Sequence, residues 1–85
     1  MIFCNKKVDY LNNMYLLDTL RGKIISQSKE KTTNKFFVDI ETEKESEIIS
    51  YVIDCNIWEI KSRMTHRKID GCYNCIKYEI REERE

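Results

Sequence analysis

The chain of 85 residues has no proline, no alanine, two glycines, one histidine and one tryptophan. With no proline and so little glycine, a glycine-rich phosphate loop and a low-complexity linker are disfavoured. No apolar run approaches the roughly 20 residues that cross a bilayer. The opening MIFCNKK is too short for a signal peptide. These absences read as a cytoplasmic chain with no membrane partner. Its four cysteines, enough for two bridges, are then expected to stay reduced. With a lone His66 there is no acid–base pair, and no Ser/His/Asp or HExxH signature is present, so enzymatic activity is not expected. Absent alanine beside plentiful isoleucine, lysine, glutamate and asparagine matches the usage of AT-rich genomes, among them those of many viruses and mobile elements.

What is present reads as one small domain over residues 1–85. A chain of this length buries only about 60 % of its unfolded surface, so pairing into a homodimer would help it. Formal charge sums to zero, but the signs are segregated. Residues 39–59 carry seven acids against one lysine, and residues 60–68 carry four bases and no acid. Such blocks pair with each other or with a partner.

Met1 to Cys4 reads as a short strand, with Asn5 as a cap. From Val8 to Arg21 the spacing of Tyr10, Leu11, Met14, Leu17 and Leu20 or Arg21 predicts a helix that Gly22 ends. All four leucines lie between 11 and 20, and eleven of the twelve isoleucines follow Gly22, a shift from helix formers to β-branched residues. Lys23 to Ser28 is a short strand. Lys35 to Glu43 alternates, with Phe36, Val38, Ile40 and Thr42 on one face and Phe37, Asp39, Glu41 and Glu43 on the other. The central stretch from Glu47 to Met64 fits both periods. Ile48, Ile49, Val52, Ile53, Ile57, Ile60 and Met64 recur at helical spacing, while Ile49, Tyr51, Ile53 and Cys55 alternate. Its β-branched and aromatic content favours strands at 47–54 and 57–65, broken at Asp54-Cys55-Asn56. Asp70-Gly71 signals a tight hairpin turn into a last strand, Cys72 to Ile80, with Ile76, Tyr78 and Ile80 on one face.

The expected fold is α+β, an N-terminal helix packed on an antiparallel meander of four to five strands. The alternative turns the central stretch into a second helix on a three-stranded sheet.

Three groups of residues carry candidate chemistry. Asp39, Glu41 and Glu43 with Phe37 form an acidic row with an aromatic anchor, suited to a protein partner. The ordinary reading of such a row is a solvated strand face. Lys61, Arg63, Arg67 and Lys68 near Trp58 suit phosphates and a stacked base. In a 57–65 strand, however, Trp58 shares a core face with Ile60, Ser62 and Met64, leaving Lys61 and Arg63 as a solvated row. Cys72 and Cys75, with His66, are half of a zinc site. A redox dithiol would sit at a helix N-terminus rather than beside a hairpin turn. The leading functional reading is a non-enzymatic protein-binding module without a cofactor, in its specific form a viral or mobile-element inhibitor that occupies a host protein's surface. The alternatives are a nucleic-acid-binding regulator built on the 61–68 segment and a zinc-stabilised domain built on Cys72 and Cys75.

Overall fold

The structure is a computed structural model that describes the backbone of residues 2–81 and the side chains of residues 11–81. One helix, α1 (Ile2–Arg21), is followed by five strands: β1 (Lys23–Glu30), β2 (Lys35–Glu41), β3 (Glu47–Asp54), β4 (Glu59–Ile69) and β5 (Cys72–Ile80). The strands form one antiparallel sheet in chain order. This is the expected helix-on-meander architecture. The two-helix alternative fails because the central stretch is a pair of strands, in line with its β-branched and aromatic side chains.

The short strand read at Met1 to Cys4 is corrected: Ile2 to Cys4 belong to α1, which also absorbs Asn5, and Met1 lies outside the described residues. The helix does end at Arg21, although Gly22 acts differently from the expected left-handed cap. Its φ is not positive. A Cβ there would lie 2.6 Å from both the Glu41 carbonyl oxygen and Ile40 Cγ2, and 3.0 Å from the Asp18 carbonyl oxygen. Glycine lets the end of the helix press onto β2.

Alternation along β2 and β3 builds the core. Val38, Ile40, Ile49, Tyr51 and Ile53 point to the helix side, where Leu11 and Ile60 join them and Tyr15 and Phe36 pack alongside. Tyr15 meets Tyr51 edge to face, with ring centroids 4.9 Å apart. The helix stripe that enters the core is Leu11 and Tyr15, with Asp18 one turn further on. Leu17 and Leu20, expected on that stripe, are exposed together with Leu16.

Turns take the residues that tolerate left-handed backbone, with one exception. Asp70 and Gly71 have φ of 52° and 85°, the geometry of a two-residue primed hairpin. Asn34 and Ser46 are also left-handed. The exception is Trp58, at φ 54°. Bulky residues adopt that region at a cost of roughly 1–2 kcal/mol.

Three bulges change which side chains share a face. In β1 the register skips Ile25, in β4 it skips Lys61, and in β5 it skips Ile76. Among the described residues, one helix packs on one face of the sheet. β1 is exposed along its whole length and β5 nearly so. Among the described residues, no helix is long and apolar enough to cross a membrane.

Candidate functional site

The skipped residue in β4 decides where the basic segment points. Ile60 faces Ile53, but Ser62 faces Val52 and Arg63 faces Tyr51. Arg63 therefore turns toward α1 and is 7 % exposed. It is not the solvated row residue that unbroken alternation implies. Its Nε–H donates to Asp18 Oδ2 at 3.0 Å and to the Tyr51 hydroxyl at 3.0 Å, and Nη1 donates to Glu79 Oε1 at 2.6 Å. Tyr51 donates its hydroxyl proton to the same Asp18 oxygen at 2.7 Å. One helix residue and three strands thus meet at one guanidinium.

Burial alone would lower the Arg63 pKa, but the bonds to Asp18 and Glu79 outweigh it and hold the guanidinium above its ordinary value. The Tyr51 phenol is also pushed up, first by burial and then by the hydrogen bond and charge of Asp18. A raised phenol pKa favours the fold while the unfolded tyrosine is still protonated. That contribution is complete below the ordinary value of 10.0 and is lost as pH climbs above it. Tyr51→Phe is expected to cost about 0.5–1.5 kcal/mol at neutral pH, since Arg63 and Asp18 still pair. The gap between wild type and variant should narrow in urea titrations taken progressively above pH 10.0. A gap that widens there would contradict this assignment.

The opposite face of the sheet carries no helix among the described residues. Register places Phe37, Asp39 and Glu41 there from β2, with Ile48, Ser50 and Val52 from β3, Ser62, Met64 and His66 from β4, and Cys75, Tyr78 and Ile80 from β5. A shallow groove of about 490 Å³ runs along it, lined among others by Phe37, Val52, Met64, Tyr78 and Ile80. Lys35, Lys61 and Arg81 stand at one end of this apolar band, with Glu30. Asp39 and Glu41 lie toward the other end, so two members of the acidic row share the face of Phe37 as expected. Glu43 leaves the row, because β2 ends at Glu41 and Glu43 lies in the following loop, beside a hollow on the helix side. Glu47 is buried on the helix side, accepting a bond from Thr42 Oγ1 at 2.9 Å and pairing with Arg67 at 3.7 Å.

Trp58 corrects the core placement implied by a 57–65 strand. It sits in the β3–β4 turn and is 76 % exposed, beside the half-exposed Ile57. That turn leaves the sheet at the end where Lys35 pairs with Asp54 and Arg81 pairs with Glu59. The remaining bases divide. Lys61 lines the bare face, Arg67 stands on the helix side, and Lys68 is exposed opposite Tyr73. Four bases adjacent in sequence therefore do not form one patch.

The cysteines separate as well. On an extended strand, residues three apart project to opposite faces. Cys72 pairs with Ile69, while Cys75 pairs with His66 on the bare face, its thiol directed to the Lys77 carbonyl at 3.5 Å. Among the described residues no group of three or more His, Cys, Asp or Glu side chains gathers as a metal site, and Cys4 lies outside the described side chains. Ile76 parts from Tyr78 and Ile80, since the bulge turns it to the helix side beside Thr65 and Lys77.

The residue that sequence reasoning missed is Asp18. Its signal was present, a carboxylate one turn after Tyr15 on the stripe that begins at Leu11, but a stripe of leucines competed with it. Comparison with protein-family models, curated proteins and solved structures gives no match.

Proposed function

We propose that this chain is a non-enzymatic protein-binding module whose contact surface is the bare sheet face together with the Ile57–Trp58 turn. The observation that carries the reading is the apolar band of Phe37, Val52, Met64, Tyr78 and Ile80, open to solvent and bracketed by charges of opposite sign. A large aromatic held out in a strained turn beside such a band suits an anchor that fills a partner's pocket. The partner this favours presents an apolar ridge with bases positioned to meet Asp39 and Glu41. In its specific form the module acts as an inhibitor, by covering a surface its target needs. The buried Tyr51 and Arg63 and the half-buried Asp18 and Glu79 bond to one another and hold the helix in place, a structural task.

The test is affinity capture with three baits, wild type, Phe37→Ser and Trp58→Ser, followed by titration of any captured protein. Emission of the single tryptophan provides the direct readout. In the free chain it should be that of an indole in water, and it should shift to the blue on binding. Each substitution is expected to weaken binding by tenfold or more, equivalent to about 1.4 kcal/mol. Equal binding by all three baits would remove the bare face and the turn from the interface. Retention of single-stranded DNA or RNA at low salt, lost in Lys61→Ala/Lys68→Ala, would favour the nucleic-acid reading instead.

A further inference from the structure

The two edges of the sheet are unlike. β1 continues after its bulge as Ser26-Gln27-Ser28-Lys29-Glu30, a polar run of the kind that discourages pairing with another chain. β5 lies at the other edge with no strand on its outer side among the described residues, and it exposes Tyr73, Ile76, Tyr78 and Ile80.

We propose that the outer side of β5 receives β5 of a second copy, antiparallel, about a two-fold axis at Tyr78. The two meanders then form one continuous ten-stranded sheet. Directly opposed residues on an antiparallel ladder share a face, so a two-fold axis must fall on a residue and not between two. An axis at Lys77 would oppose lysine to lysine. An axis at Glu79 would oppose glutamate to glutamate and Lys77 to Arg81. An axis at Tyr78 sets Lys77 of each copy opposite Glu79 of the other, twice, and brings the two Tyr78 rings together on the bare face. Lys77 is exposed and already within 3.9 Å of its own Glu79. Glu79 in turn is held by Arg63. Pairing would extend Asp18, Arg63 and Glu79 by a lysine from the other copy, a row of charges with alternating sign. The bulge fits the same register. Where β5 meets β4 it skips Ile76 and sets Cys75 opposite His66. The same skip across the axis sets Ile80 opposite Cys75, both on the bare face. This inference concerns the edge of the sheet and needs no partner on its face, although Tyr78 and Ile80 belong to both surfaces.

The experiment is sedimentation equilibrium over a wide concentration range, with amide hydrogen exchange at dilute and concentrated ends. Wild type is expected to approach twice the 10.3 kDa chain mass. Lys77→Glu converts two attractive pairs into two repulsive ones and should raise the dissociation constant about tenfold or more. Tyr78→Lys sets two lysines face to face at the axis and should leave a monomer. Both side chains are exposed, so circular dichroism should show folded variants. Amides of β5 should exchange more slowly as concentration rises, and those of β1 should not. A wild-type chain that stays monomeric to about millimolar concentration would overturn the proposal. So would a dimer indifferent to both substitutions, or one that protects β1 instead of β5.

Discussion

Arg63→Ala is expected to cost about 3–5 kcal/mol, because it removes the cation shared by the partly buried carboxylates of Asp18 and Glu79. A chain of this length has a total stability of roughly 4–13 kcal/mol. The substitution therefore removes a large share of it, and in the lower part of that range the chain would be largely unfolded at room temperature. Urea denaturation followed by circular dichroism gives the number directly. Lys61→Ala, two positions away, is the matching control. Lys61 is the bulged residue that lines the bare face, where an exposed ion pair contributes about 0–1 kcal/mol, so its loss should cost far less. A further variant separates electrostatics from packing. Replacing Asp18 by Leu, Tyr51 by Phe, Arg63 by Met and Glu79 by Leu together removes these charges and the buried hydroxyl that would lose its partners, and much of the loss should return. If Arg63→Ala and Lys61→Ala behave alike, the guanidinium does not hold the helix to the sheet. The pair also guards against a misreading. Any loss of partner or nucleic-acid binding in Arg63→Ala would report unfolding rather than a missing contact.

Gly22→Ala is expected to destabilise in the upper part of the about 1–3 kcal/mol range for overpacking. An alanine elsewhere at a helix end would ordinarily help, through helix propensity and a less flexible unfolded chain. Here the added carbon meets the Glu41 carbonyl and Ile40 within 2.6 Å, and two of the three close atoms are backbone oxygens. The helix end must lift from β2, which loosens the approach of Asp18 to Arg63. Thermal melts of Gly22→Ala and Gly22→Ser should both fall, the serine at least as far. An unchanged or higher melting temperature in Gly22→Ala would show that glycine serves here only as a flexible connector.

Much of this fold is legible in the order of residues. Phe36, Val38 and Ile40 alternate with Phe37, Asp39 and Glu41, and the backbone follows that period without interruption. Asp70-Gly71 forms the turn its chemistry demands. The site was less legible for two physical reasons. A bulge shifts parity by one position, and sequence carries no strong mark of it. The skip at Lys61 sends Arg63 inward and keeps Lys61 outward, where unbroken alternation sets both on one face. The second reason is that the β3–β4 turn runs past its Asp and Asn to end on Trp58 in left-handed backbone. A tryptophan between isoleucines reads as core, and only tertiary structure reveals it outside. Among the helix residues, leucines mark an apolar stripe, while the stripe that packs includes a carboxylate whose partner is distant in sequence.

That distance bears on how fast the chain folds. Every strand pairs only with its neighbour in sequence, so each hairpin can close over a short loop at small entropic cost. The exception is the helix, which meets the sheet through Tyr15 on Tyr51 and through Asp18 with Tyr51 and Arg63, 33 and 45 positions away. A meander of this kind should zip on the timescale of successive hairpins, with helix docking as its last and slowest event. Until docking occurs, the faces of Val38, Ile40, Ile49 and Tyr51 stay wet. The same arginine that anchors the native helix would then set the lifetime of the open, sticky sheet that precedes it.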